Sequence, residues 1–151
     1  MPKTFYAWQE IGGNIELVSA RSKSFNVLAI FQKNGEFDSV VFDGSIDSKA
    51  VVSYFNQLAD TILKETWIII DNSPIHTSNI FKKMLPAWEQ KKLNFYFLPP
   101  YSPELNLIEI VWRFIKYKWL PISAYLNIEN LKKSLSHVLA FIGISYNITF
   151  V

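Results

Sequence analysis

The stretch IIIDNSPIH, residues 68–76, decides how the rest of the chain is read. Three isoleucines in succession belong to a strand, because β-branched side chains pack well on a pleated surface. Together with Trp67 they suit a strand buried on both faces, as in a parallel sheet covered by helices. Asp71 ends the run, and Asn72, Ser73 and Pro74 supply turn chemistry through which no strand continues. A carboxylate is thereby carried to the carboxyl end of a rigid strand, where α/β sheets place their ligands. Asp71 admits a second reading as an Asx-turn, its side chain accepting from the backbone two residues on and doing no more than shaping the turn.

Upstream of this stretch the apolar residues alternate. Asn14 to Ser19 (NIELVS) sets Ile15 and Leu17 on one face of a strand, and Phe25 to Phe31 (FNVLAIF) and Phe37 to Phe42 (FDSVVF) flank Asn34-Gly35, a hairpin turn signal. The period then changes: Val51, Val52, Phe55, Leu58 and Ile62 recur at helical spacing between Ser48 and Leu63. Downstream, Thr77 or Ser78 is available to cap a helix running to about Lys92, and Asn94 to Leu98 (NFYFL) forms a strand stopped by Pro99 and Pro100. A third helix is expected from Ser102 as N-cap, with Pro103 in its first position, Glu104 at the positive end of its dipole, and a stripe of Leu105, Ile108, Trp112, Ile115 and Trp119. Pro121 ends it, and Asn127 caps a last helix from Ile128 to about Ile142. The order of elements predicts a mixed α/β layer, antiparallel early and parallel later.

A chain of 151 residues, half hydrophobic and 16% aromatic, is one folded domain rather than a disordered segment. No apolar run approaches the roughly 18 residues of a membrane span, and MPKTFYAWQE has no signal-peptide core, so a cytoplasmic protein is expected. The absence of cysteine excludes a disulfide scaffold and a thiolate metal site. A net charge of +2 permits approach to DNA without identifying a DNA binder.

Glu109 is the second carboxylate of interest, on the flank of the third helix's apolar stripe. A carboxylate at a core margin needs a partner, and Arg113, four residues on, is placed to form an ion pair with it. The functional reading is that Asp71 and Glu109 converge from strand and helix on a divalent cation, Mg²⁺ or Mn²⁺ by their all-oxygen chemistry. Two such ions stabilise the attacking and leaving oxygens in phosphoryl transfer. His76, alone at a helix start, reads as a surface or supporting group. The aromatic stretch Asn94 to Tyr101 reads as core rather than a base-stacking platform. Lys82, Lys83, Lys91, Lys92, Lys116, Lys118, Lys132 and Lys133 read as solvated faces, some of them placed for phosphate contact.

Read together, IIIDNSPIHTS and FLPPYSPELNLIEIVWRFIK resemble the catalytic core of DDE-superfamily transposases, the mariner-like and related bacterial insertion-sequence group. The family carries a DNA-x-x-H-like segment after a buried strand, then a P-P-Y-S-P-x-L-N-x-I-E-x-x-W block, matched here by Pro99 through Trp112. Between Asp71 and Glu109 lie 37 residues, within the family's range. YAWQEIGGNIEL and SFNVLAIF extend a weaker similarity to the start of the chain. The resemblance implies a ribonuclease H-like mixed sheet flanked by helices over residues 1–151. It implies a transposase and endonuclease that cleaves transposon ends and transfers the freed strand to target DNA. Asp71 and Glu109 are then the second and third metal-binding carboxylates of a triad, with Mg²⁺ or Mn²⁺ as cofactor. Asn72, His76 and Asn106 stand beside the acids and support them. The family's first aspartate precedes the Y-x-W-x-x-x-G stretch, which begins here at Tyr6 behind MPKTF, with no acid. Asp38 and Asp43 are poor substitutes, Asp43-Gly44 being turn chemistry. The expectation is therefore a domain lacking the family's first strand and its DNA-reading region, weak or inactive alone, that forms a homodimer or pairs with an upstream transposase fragment. The alternative is a non-catalytic DNA-binding or dimerisation partner of an intact transposase.

Overall fold

Alternation along the first hairpin divides the interior into two cores. The computed structural model describes residues 24–100 and 102–148. Strands β1 (Phe25–Phe31) and β2 (Phe37–Asp43) pair antiparallel, from Phe25 opposite Asp43 to Phe31 opposite Phe37. Successive side chains of a strand point to opposite faces. Leu28 and Ile30 accordingly join one core, and Phe25, Val27 and Phe31 the other. The loop is longer than a two-residue Asn-Gly turn: the Gly35 N–H donates to the Gln32 carbonyl at 2.9 Å, and Gly35 takes a left-handed φ of 94°. That combination is a type I turn closed by a left-handed glycine.

The first core lies between a helix pair and a β–α–β unit. Helix α1 (Ser48–Thr61) starts at Asp47, whose side chain accepts from the Ala50 N–H at 2.8 Å. Strand β3 (Thr66–Ile70), helix α2 (Asn79–Gln90) and strand β4 (Leu93–Phe97) follow, β3 and β4 pairing parallel from Thr66–Leu93 to Ile70–Phe97. Ser78 rather than Thr77 caps α2, accepting from Phe81. Phe81, Trp88, Leu93 and Val51 are wholly buried. Phe55, Phe81, Trp88 and Phe95 meet in tilted and edge-to-face contacts with centroids 5.0–5.9 Å apart, the geometry aromatic quadrupoles favour.

The second core packs α3 (Leu107–Phe114) and α4 (Ile128–Phe141) on the other face of the hairpin, around Val111, Ile115, Val138 and Leu139. Asn127 caps α4 as its sequence requires, accepting from Asn130 at 2.8 Å.

Several features depart from the sequence reading. Trp67 and Ile69 are 60% and 54% exposed, so β3 buries only the face of Ile68 and Ile70. Ile69 lies opposite Tyr96, which is exposed on the same face, and among the described residues no helix covers that side. The third helix begins four residues late. Pro103–Leu105 form a separate 3₁₀ turn, Leu105 is exposed, and the cap is Asn106, accepting from the Ile108 N–H at 3.4 Å, while Ser102 contributes its carbonyl to the preceding turn. Regular α-helix also stops at Phe114. Ile115–Trp119 form a wider π-helical turn, closed by Leu120 donating to Ile115 at 3.0 Å. Finally, the described strands form two separate two-stranded sheets. The expected strand Asn14–Ser19 lies outside the described residues. Among the described residues no helix is long and apolar enough to cross a membrane.

The β1–β2 turn meets the segment after α4 at a pair of glycines, Gly35 and Gly143. Gly143, φ 84°, follows α4, and a Cβ built on it would stand 2.4 Å from the Gly35 carbonyl oxygen. Gly44, φ 97°, has nothing within 4 Å of the same position. Both positions are left-handed, which costs a side-chain-bearing residue about 1–2 kcal/mol. Gly44→Ala should lose about that much stability and Gly143→Ala clearly more, since only the latter must also push one backbone segment off another. Urea unfolding of both variants checks this, and equal losses would contradict the close approach.

Candidate functional site

Asp71 follows the last residue of β3, and its surroundings come from the turn that ends the strand. The Asx-turn is formed: the Ser73 N–H donates to Asp71 Oδ1 at 3.1 Å. The same oxygen lies 2.8 Å from His76 Nδ1. The His76 side chain is only 19% exposed and tilts against Phe81, with ring centroids 5.7 Å apart, whereas Asp71 is 54% exposed. A core ring thus holds an imidazole, and the imidazole holds a carboxylate that faces solvent. Asn72 donates to the Leu98 carbonyl, while the Leu98 N–H donates to the Ile70 carbonyl at 2.8 Å, locking the ends of β3 and β4 together.

Glu109 reaches the same place from another element. With Asn106 as cap it is the third residue of α3, where a carboxylate complements the helix dipole. Among the described residues no ion pair joins it to Arg113 or to any other cation, so the ion-pair reading of Glu109 is not realised. Glu109 is exposed.

The two acids line one open cleft of about 430 Å³, together with Asn72, Ser73, Leu98, Pro99, Pro100, Ser102 and Asn106. The cleft therefore holds both predicted carboxylates and two of the three supporting residues, and His76 joins through its contact with Asp71. Ser73 and Ser102 also line it, residues that the sequence marks only as turn chemistry and as a helix cap. Ser73 supplies the N–H that shapes the turn, a role any residue at that position of an Asx-turn plays, so only the geometry reveals it. Asp38 and Asp43 lie elsewhere. Asp38 accepts from the Tyr54 hydroxyl at 2.6 Å, and Asp43 sits 3.5 Å from Lys132 Nζ. The segment Asn94 to Phe97 serves the first core through Phe95 and Phe97, with Tyr96 turned out.

The donor set is all oxygen, from two solvent-facing carboxylates on different elements, which suits a hard divalent cation keeping several waters. Among the described residues no third acidic, histidine or cysteine side chain completes a metal-binding group with them. Electrostatics keep Asp71 in its anionic form. Partial burial pushes its carboxyl up, but the Ser73 N–H and the His76 ring together outweigh burial and hold it below the ordinary aspartate value. A depressed carboxylate contributes stability above its unfolded pKa and loses it as pH falls through the folded one. In metal-free buffer Asp71→Asn should therefore flatten the loss of stability below about pH 4, by a small amount because the group is half exposed. His76→Ala should move the Asp71 titration back up, as read by carboxyl NMR. An unmoved titration would show that the imidazole does not tune the acid.

The family model described as DDE superfamily endonuclease matches residues 2–132. No curated protein matches the chain.

Proposed function

The chain belongs to the DDE superfamily endonuclease family, and on that premise we propose that it is a transposase catalytic domain, spanning residues 1–151, which cleaves DNA and transfers the freed strand. The observation that carries this reading is the delivery of Asp71 and Glu109 to one cleft by two independently anchored elements. The strand end is clamped by Asn72 and the helix start by Asn106, so the two carboxylates keep their relation without touching each other. Rigid placement of this kind is what metal-dependent chemistry demands.

In this reading Asp71 and Glu109 hold Mg²⁺ or Mn²⁺. The cation, when bound, activates the attacking oxygen and neutralises charge on the phosphodiester. His76 fixes the orientation of Asp71 and keeps it deprotonated, a familiar supporting role beside metal carboxylates. Asn72 and Asn106 position the walls of the cleft, and the prolines Pro99 and Pro100 stiffen its floor. A third carboxylate comes from outside the described residues, in this chain or in a partner polypeptide. The hairpin and the β–α–β unit are halves of a ribonuclease H-like sheet, and a homodimer or an upstream fragment completes the assembly.

A second reading is a DNA-binding or dimerisation partner without catalysis. It is favoured by the absence of a three-ligand group among the described residues.

Nicking of supercoiled plasmid in Mn²⁺ separates the two. The catalytic reading expects nicked circles from the unaltered protein and a loss on the order of 100-fold or more in Asp71→Asn and Glu109→Gln, since changes beside a metal site alone cost about 10–100-fold. Nicking that ignores both substitutions, or DNA binding with no nicking at any Mn²⁺ concentration, would favour the second reading.

A further inference from the structure

Building on the reading just given, we infer that Arg113, Lys116 and Tyr117 are strand-positioning residues that hold one DNA strand against the cleft. Arg113 stands four residues after Glu109 on the same side of α3, and Lys116 follows three residues later at the start of the π-helical turn. All three are exposed. From Glu109 to Lys116 the axis advances at most about 10 Å at 1.5 Å per residue, the rise being smaller where Lys116 enters the π-helical turn, a span of up to about three nucleotides at 3.4 Å each. A strand whose scissile phosphate lay at Glu109 would pass over both cations.

What distinguishes these cations is their place on the helical segment that carries Glu109; among the described residues they share the lack of a carboxylate partner with Lys82 and Lys83, but not with Lys91 or Lys132. Lys91 is paired with Asp60 and Lys132 with Asp43. Among the described residues Arg113, Lys116 and Lys118 have no carboxylate partner, even though Glu109 stands one turn from Arg113. The lysines lie over aromatic rings instead, Lys116 at 6.0 Å from the Tyr117 centroid and Lys118 at 4.6 Å from that of Phe114. The second independent feature is the π-helical turn. Widening the helix at Ile115–Trp119 keeps Ile115 in the core while Tyr117 stands exposed beside Lys116. Tyr125 secures this turn, its hydroxyl donating to the Lys116 carbonyl at 3.1 Å. An exposed ring between cations, on the helical segment that follows Glu109, has the composition of a surface that stacks an unpaired base while neutralising the backbone.

The test is DNA binding by the full chain, read by fluorescence anisotropy on labelled duplex and single-stranded oligonucleotides across a salt series. Arg113→Ala with Lys116→Ala is compared with Lys82→Ala with Lys83→Ala, an equal loss of charge from the exposed side of α2. The ridge variant should weaken binding about tenfold or more and lower the slope of log affinity on log salt by roughly 1.5, about 0.7–0.9 for each phosphate no longer neutralised. The α2 variant should change either quantity little. Tyr117→Ala should weaken single-strand binding selectively, and Tyr117→Phe should restore it. Thermal melting reports folding, and Arg113→Gln with Lys116→Gln replaces the alanine pair if that pair melts early. Equal effects of the ridge and α2 variants would overturn the proposal. Plasmid nicking with ridge-independent binding would leave the nuclease reading standing and the ridge refuted. Ridge-dependent binding without nicking would do the reverse.

Discussion

The packing of Phe55, Phe81, Trp88 and Phe95 is the constraint on which everything else in the fold rests. These rings pin α1 and α2 to the inner face of β3 and β4, and the Trp88 indole N–H donates to Asn56 at 2.8 Å, so this buried donor is satisfied. Phe81 has two duties. It fills the core, and it carries the face of His76, which in turn holds Asp71. The position of a solvent-facing carboxylate is therefore set by an aromatic contact inside the protein. Loosening that contact would reach the cleft through Asp71, although neither Phe81 nor His76 lines it.

The two readings of Asp71 are compatible in the folded chain. An aspartate that closes an Asx-turn has its side chain fixed by the backbone, and that fixity is what a metal-binding or charge-presenting role needs. The turn tethers Oδ1, and His76 adds a second hold five residues away. Glu109 is the opposite case. Its place in the first turn of α3 leaves its compensation to the helix dipole, since among the described residues no cation pairs with it, although spacing to Arg113 offered it a conventional ion pair. The geometry that declines this ion pair also leaves Arg113, among the described residues, without a carboxylate partner.

The start of the third helix is ambiguous by local rules alone. Ser102-Pro103-Glu104 satisfies the requirements for a helix beginning, and Asn106 satisfies them again four residues later. The choice falls on Asn106 because the chain leaving β4 makes its 3₁₀ turn at Pro103–Leu105 and leaves Leu105 exposed, while Val111 and Ile115 reach the core from a helix begun at Leu107. Keeping Ile115 buried and continuing toward Tyr125 and α4 then requires the wider turn, a feature that a regular 3.6-residue period does not anticipate.

Periodicity and turn chemistry were legible along the chain. The hairpin about Gly35, the helix from Ser48, the strand that ends before Asp71, a cap at Thr77 or Ser78 and the Asn127 cap all follow from nearest-neighbour rules. Which faces those elements bury was settled by tertiary packing. Trp67 and Ile69 read as core because bulky apolar strands are normally covered on both sides, and they stand exposed because the described helices pack on one side of β3 and β4. Packing likewise brought Asp71 and Glu109 to one cleft and left Asp38 and Asp43 elsewhere, since convergence depends on how β3 and α3 are anchored across the fold and not on any interval along the chain. Period and spacing are properties of a segment, whereas burial and convergence belong to the space between segments.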